Sequence, residues 1–398
     1  MQSENSAIRK GFAFQKGVYA FCRAVIGPFV TLSLHFSYKP CRIRSRTFLA
    51  LGNHTQNLDP ALLVIATHRY MRFVANAAIT RGFVGFIMNN FFGVIPREKG
   101  ASGDEVIARI EANLKAGVSV GMFPEGNRCW DGVTEFISPR TARLAKESGA
   151  ALVTYRFTGG YLLHPRWAGY KRKGPMRGEL VHEYSPEELA AMTQDEVYEA
   201  ICRDLHVNAY EEQARSGDLY PGKNLSEGMQ YTAYLCPLCH GIGTVTTSGD
   251  EVRCTCGLHA RYLETGSFGE GNLPFRNLAE WNSYQKAWMH GHSAEFRTMT
   301  EAPIASDSGF RLKLVDGESS RLLSADATMS LFGDRLELSF GDRKIVHGIE
   351  EITGFGTALK SSVYFSCGSL HYQLVSSKPV SLLKYYALWR ILSGREYL

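Results

Sequence analysis

Through the first half of the chain, short apolar runs alternate with segments whose apolar residues recur every three or four positions. Thr47-Phe-Leu-Ala-Leu-Gly52, Arg72-Phe-Val-Ala75, Val118-Ser-Val-Gly-Met-Phe123 and the run from Ala150 to Thr158 read as strands. Between them, Pro60 to Tyr70, Ile79 to Asn90, Gly103 to Ala116 and Ser138 to Ser148 read as helices. In the third of these, Ile107, Ile110 and Leu114 share one face. Pro60 opens the first helix at the position where its missing N–H is harmless. Alternation of this kind predicts an α/β sheet flanked by helices, with working loops at the strand ends.

The pattern changes after residue 222. Residues 223–292 bring Gly-rich turns, a cluster of cysteines and an aromatic segment with Trp281, Tyr284 and Trp288. From 294 onward, apolar and polar residues alternate at period two in Phe310 to Val315, Thr328 to Phe332, Arg335 to Phe340, Lys344 to His347 and Ser362 to Ser366. Gly333-Asp334 and Gly341-Asp342 separate several of these runs, as the turns of a hairpin meander would. An apolar helix from Val380 to Leu392 ends the region. Antiparallel strands closed by a C-terminal helix look like a pleckstrin-homology-like module. The expected organisation is therefore an N-terminal membrane-associating segment (1–45), an α/β catalytic domain (46–222), a zinc-ribbon-like module with an aromatic linker (223–292) and a β-rich domain (293–398). A chain of 398 residues exceeds what one core normally organises.

Composition adds little until charge is placed along the chain. With 44% apolar and 21% charged residues it is an ordinary globular protein. The net charge of +5 is modest, but residues 1–50 hold eight Lys/Arg against Glu4 alone, a local +7. Such a bias suits an anionic lipid surface or a phosphate-bearing substrate. From Ile8 to Pro28, Phe12, Phe14, Val18, Tyr19, Phe21, Val25 and Ile26 are mixed with Lys10, Lys16 and Arg23. That fits a helix lying in a membrane interface, or a buried amphipathic helix of the catalytic domain. The longest uncharged run, Ala24 to Tyr38, holds fifteen residues, short of the ~20 that a spanning helix needs. No signal-peptide layout is visible. The expected location is cytoplasmic, peripheral at the inner face of the cell membrane.

Of nine cysteines, Cys22, Cys41, Cys129, Cys202 and Cys367 are scattered, as free thiols of a reducing compartment would be. Cys236-Pro-Leu-Cys239 and Cys254-Thr-Cys256 form two close pairs fourteen residues apart. Two such pairs look like a zinc ribbon, with His240 or His259 available in place of one thiolate. The expected ion is a structural zinc held by Cys236, Cys239, Cys254 and Cys256. No basic stripe accompanies the cluster, which argues against a nucleic-acid reader.

Three further blocks carry chemistry. Asn53-His54-Thr55-Gln56-Asn57-Leu58-Asp59 follows the first strand, Gly93-Val94-Ile95-Pro96-Arg97 comes next, and Phe123-Pro124-Glu125-Gly126-Asn127-Arg128 follows a later strand. Imidazole titrates near neutral pH, so His54 suits a general base, with Asp59 placed to orient it. In order and interval these blocks resemble the glycerolipid acyltransferase (PlsC-type) family, over residues 45 to 190. The resemblance implies transfer of a fatty acyl group from acyl-CoA or acyl-carrier protein to a lysophosphatidic-acid-like acceptor, without a catalytic cofactor. It implies that Arg97 grips the acceptor phosphate, that Glu125 and Gly126 shape the acceptor site, and that Arg128 fills the family's basic position. Lys99 is close enough in sequence to assist Arg97. Gln56 stands where the family usually has serine, and Asn127 where it has threonine. The strand from Ala150 to Tyr155 matches a fourth family block but lacks its proline. A catalytically inactive membrane adaptor, or an enzyme using glycerol-3-phosphate or a glycolipid acceptor, are the alternatives.

Overall fold

The computed structural model describes residues 8–9, 11–80, 82–97, 103–316 and 319–395. The chain divides into two compact units, one of residues 1–166 and 172–221 and the other of 167–171 and 222–398.

The first unit is built on a seven-stranded sheet of β1 (Phe36–Tyr38), β2 (Phe48–Gly52), β3 (Arg72–Asn76), β4 (Ile95–Arg97), β5 (Val120–Met122), β6 (Ala151–Thr158) and β7 (Met176–Tyr184), in the order β1-β7-β6-β2-β5-β3-β4. Strands β6 and β7 run antiparallel, whereas the other neighbours are parallel. The sheet is mixed. Strand β2 lies centrally and every one of its residues is buried, which is why it reads as an unbroken apolar run. The helices of this unit include α1 (Phe12–Val25), α2 (Gly27–Ser33), α3 (Asp59–Thr67), α4 (Gly82–Phe92), α5 (Asp104–Lys115), α6 (Arg140–Glu147), the single turn α7 (Gly160–Leu163), α8 (Pro186–Ala191), α9 (Gln194–Leu205) and α10 (Ala209–Ser216). Ile110 and Leu114 of α5 and Leu144 of α6 join Leu49, Leu51 and Val120 in one core cluster. Helix α3 stops at Thr67, short of Tyr70, because His68 takes a left-handed conformation with φ 54°.

One expectation for this unit needs correction. The helix read over Ile79 to Asn90 begins at Gly82, after a 3₁₀ turn at Ala77–Thr80. The basic stretch from His164 to Arg177 is partly internal, with Lys171, Lys173 and Arg177 at the surface. Trp167, Arg166 and Arg172 are buried, and Met176 opens β7. Arg172 donates to the Leu162 carbonyl at 3.2 Å.

The second unit holds a four-stranded antiparallel sheet, with strands Val245–Ser248, Glu251–Cys254, His259–Tyr262 and Phe268–Gly271. It also holds a seven-stranded antiparallel sheet of Ala305–Asp316, Ser319–Leu331, Arg335–Phe340, Arg343–Gly348, Ile352–Ala358, Ser362–Cys367 and Leu370–Ser376. In the larger sheet the first strand pairs with both the second and the last. The edges are therefore the fourth strand, Arg343–Gly348, and the fifth, Ile352–Ala358. Both Gly-Asp pairs fall between strands as expected, and Gly341 has φ 53°. Helix Leu383–Ser393 packs Leu388 and Trp389 into the core of this sheet. The same core takes in Tyr234, Leu235 and Met289.

Candidate acyltransferase site

The three blocks meet at the carboxyl ends of neighbouring parallel strands. Block one leaves β2, block three leaves the adjacent β5, and Arg97 closes β4. Open α/β sheets bind ligands at such ends, where loops diverge and no strand follows to cover them.

The loop after β2 folds around one carboxylate. Asp59 is fully buried. Its Oδ2 accepts from Thr55 N–H at 2.6 Å, from Gln56 N–H at 2.7 Å and from His54 Nδ1 at 2.9 Å. A buried carboxylate is tolerated only where donors surround it, and here the donors come from its own loop. Because a carboxylate only accepts, the proton of His54 sits on Nδ1, which leaves Nε2 as the basic nitrogen. The imidazole is 20% exposed and lies against the Phe123 ring, centroids 4.5 Å apart and planes 24° from parallel. Orientation is thus fixed on two sides, by a hydrogen bond and by a ring face.

Block three is tied to the same loop through the backbone. Glu125 Oε1 accepts His54 N–H at 2.6 Å and its Oε2 accepts Glu135 N–H at 2.8 Å. Both carboxylate oxygens therefore hold main chain. Burial pushes the Glu125 carboxyl well above its usual range, against the pull of the two N–H donors from Glu135 and His54. Cys129 N–H donates to the His54 carbonyl at 3.2 Å, a second tie between the blocks. Asn53 adds a third anchor, exchanging side-chain bonds with both backbone groups of Phe157 at 2.7 and 2.9 Å.

Arg97 is exposed and reaches block three. Gly126 has φ 71°, and a Cβ there would stand 3.2 Å from Arg97 Nη1. Glycine thus serves both the left-handed turn and the approach of the guanidinium. Arg128 is largely enclosed, and burial lowers its pKa against the opposing charge of Asp59. Its Nη1 is buried without a hydrogen-bond partner. Lys99 lies outside the described residues.

Gln56, the departure from serine, turns inward. It is buried and its amide donates to the Gly160 carbonyl of α7 and to His164 O at 3.4 Å. Three other supports escaped the sequence. Phe123 was legible as part of a motif but not as the surface under His54. Glu135 acts through its backbone, which no side-chain pattern reports. Arg166 stacks over Trp130 at 4.0 Å and donates to the Arg128 carbonyl at 3.2 Å, bracing block three.

Residues 37–158 match the family model described as Acyltransferase. This segment is an acyltransferase-family domain. No curated protein matches the chain. Among solved structures, the chain matches the crystal structure of the 1-acyl-sn-glycerophosphate (LPA) acyltransferase PlsC from Thermotoga maritima, with 18% identity, 48% of this chain and 78% of that chain covered, and a TM-score of 0.39. The acyltransferase-family segment contains all three blocks.

In the second unit the four clustered thiols also come together. Their sulfurs lie within 4.8 Å of one another, with Cys236 Sγ 3.5 Å from Cys256 Sγ and Cys239 Sγ 3.8 Å from Cys254 Sγ. Each pair sits at a turn. Leu235 and Ile242 bridge around the first pair, and Gly257, with φ 97°, turns the chain at the second. Tetrahedral zinc with Zn–S bonds of about 2.3 Å sets its sulfurs about 3.8 Å apart, so the donor set fits that ion. His240 bonds Tyr284 and His259 bonds the Gly257 carbonyl, so the imidazoles have other partners.

Glutamine at position 125 would keep one acceptor oxygen and turn an amide N–H₂ toward a main-chain donor. We expect Glu125→Gln to lose about 1–3 kcal/mol of stability, the cost of a buried unpaired donor. Chemical denaturation reads this directly, and an unchanged midpoint would show that Glu125 does not hold the two loops.

Proposed function

We propose that this protein is an O-acyltransferase that moves a fatty acyl group from an acyl thioester, acyl-CoA or acyl-carrier protein, to the hydroxyl of a lysophosphatidic-acid-like acceptor. The observation that carries the reading is the oriented His54–Asp59 pair, 2.9 Å apart, in a domain of the acyltransferase family. His54 Nε2 takes the proton of the acceptor hydroxyl as its oxygen attacks the thioester carbonyl. The C–O bond forms, the C–S bond breaks, and the leaving thiolate recovers the proton from the imidazolium. No enzyme nucleophile is required. Asp59 holds the tautomer and stabilises the imidazolium. Arg97 grips the phosphate of the acceptor, for which guanidinium geometry is suited. Glu125 acts by positioning His54, Gly126 leaves room for Arg97, and Arg128 lines the acceptor side with an unpaired donor. No step calls for a cofactor.

The test is transfer by purified protein from acyl-CoA and acyl-carrier protein to a panel of acceptors: lysophosphatidate, glycerol-3-phosphate and a glycolipid. Loss of a general base lowers rate by roughly 10² to 10⁴, so His54→Ala should leave a folded, nearly inactive protein, with Asp59→Asn somewhat less impaired. Arg97→Ala should raise KM for the phosphorylated acceptor far more than for the donor, since it removes acceptor binding. Wild-type rates in folded His54→Ala would falsify the assignment. A rise confined to the donor KM would move Arg97 to the donor site.

We also propose peripheral attachment to the inner face of the cell membrane. No described helix is long and apolar enough to cross a membrane. Helix α1 exposes Phe14 and Phe21, α2 exposes Phe29 and Leu32, and α4 exposes Phe83, Val84 and Phe86. Phe14 meets Phe91 of α4 at 5.5 Å, which makes the α1 and α4 faces neighbours. Exposed aromatics beside Lys16 and Arg23 fit an anionic bilayer. Binding to anionic vesicles should weaken in high salt and weaken further when residues 1–30 are deleted. Protein that stays unbound at low salt, or that only detergent releases, would overturn this attachment.

We assign a structural zinc to Cys236, Cys239, Cys254 and Cys256, and a pleckstrin-homology-like fold to the β-rich region that ends in helix Leu383–Ser393. Elemental analysis should find zinc in protein purified without added metal, and Cys236→Ser should lose it. Chelation should open residues 230–265 to protease while the transferase unit, which has its own core cluster, stays resistant. Four freely titrating thiols in the untreated protein would remove the metal.

A further inference from the structure

Among the described residues, beyond the transferase site and the four-cysteine cluster, one group of side chains that could hold a metal is unaccounted for. His347, Glu351 and Cys367 each bring a donor atom within 4.8 Å of the other two. They come from separate parts of the seven-stranded sheet. His347 lies on one edge strand, Arg343–Gly348. Glu351 ends the 3₁₀ turn Ile349–Glu351 that follows. Cys367 ends the strand Ser362–Cys367, where it pairs with Ile352 of the opposite edge strand. The sheet must therefore curl until its two edges meet at this point.

His347 is only 8% exposed, enclosed by Phe365 and Tyr372 with ring centroids at 6.2 and 5.2 Å. Its Nε2 is buried and has no hydrogen-bond partner. An unsatisfied buried imidazole nitrogen is disfavoured, so a polar ring held here calls for a ligand. Neither aromatic neighbour supplies one. Glu351 uses one carboxylate oxygen to cap Gly348 N–H at 2.9 Å, and its other oxygen remains for a cation. The Glu351 side chain is exposed, so the group opens toward solvent on one side.

We propose that His347, Glu351 and Cys367 form a second divalent-metal site, selective for zinc or a similar borderline ion. Imidazole nitrogen, carboxylate oxygen and thiolate sulfur together favour such an ion over magnesium or calcium, which take oxygen ligands. Three protein ligands leave a fourth tetrahedral position for water on the open side. Occupancy ties the turn after one edge strand to the strand pair at the other edge, and so clasps the curled sheet. The site is independent of acyl transfer.

Metal stoichiometry of the full-length chain tests it. Protein saturated with zinc and then freed of loose metal should bind one equivalent more than either His347→Ala or Cys367→Ser treated identically, with circular dichroism confirming that the variants fold. Cobalt-loaded protein should lose part of its sulfur-to-metal absorption in Cys367→Ser and keep the part due to the four-cysteine cluster. Equal metal content in the wild type and both variants overturns the proposal. So does a one-equivalent loss in Cys236→Ser that leaves nothing for His347→Ala to remove.

Discussion

A carboxylate with no exposed surface cannot remain charged in a protein without several donors, because its lost hydration must be replaced. Asp59 meets that requirement with Thr55 N–H, Gln56 N–H and the imidazole of His54. The loop from 53 to 59 is consequently a closed ring of hydrogen bonds rather than a flexible connection, and His54 has one ring nitrogen committed. Everything proposed for catalysis depends on this arrangement, since a base is useful only when the nitrogen facing the substrate is the unprotonated one. The same carboxylate opens α3, so a helix start and the hydrogen-bond partner of His54 are one residue.

A similar economy holds in block three. Glu125 is half-buried and bound at both oxygens by main chain, and this favours a bracing role over direct substrate contact. The positive character of the site rests on Arg97, which is exposed, and Arg128, which is enclosed and keeps an unpaired donor. In the proposed reading, buried groups set the geometry and the exposed arginine meets the acceptor. Gln56 belongs to the first class, since its amide is spent on the α7 turn, so the departure from serine alters the scaffold beneath the histidine.

In the second unit, local turns bring cysteines together in pairs, and packing brings the pairs to each other. Trp281 donates to the Leu235 carbonyl at 2.9 Å, and Gln285 accepts from Tyr234 N–H at 3.1 Å. Helix Leu278–Gly291 thereby holds the first cysteine turn against the core that also serves the large β-sheet.

The sequence by itself determined the elements whose cause is local. Period-two alternation marked Arg335–Phe340 and its neighbours, Gly-Asp turns marked the hairpins, and an unbroken apolar run marked β2 as buried, with a mostly apolar one doing so for β6. It also determined His54 and Asp59 as a pair, because five residues of loop bring them within reach of one bond. The elements without a local signature stayed hidden. Met176–Tyr184 carries charges at Arg177, Glu179 and Glu183, so its membership of the sheet comes from pairing with β6. No local pattern marks Arg166 and Arg172 as internal, yet a tryptophan face and backbone carbonyls enclose them. Only the tertiary structure decided that Glu125 holds His54 by its backbone, since a main-chain N–H is the same at every position and leaves no trace in composition. The meeting of His347, Glu351 and Cys367 was hidden for a related reason. Strand curvature, which depends on the whole sheet, sets the distance between its two edges.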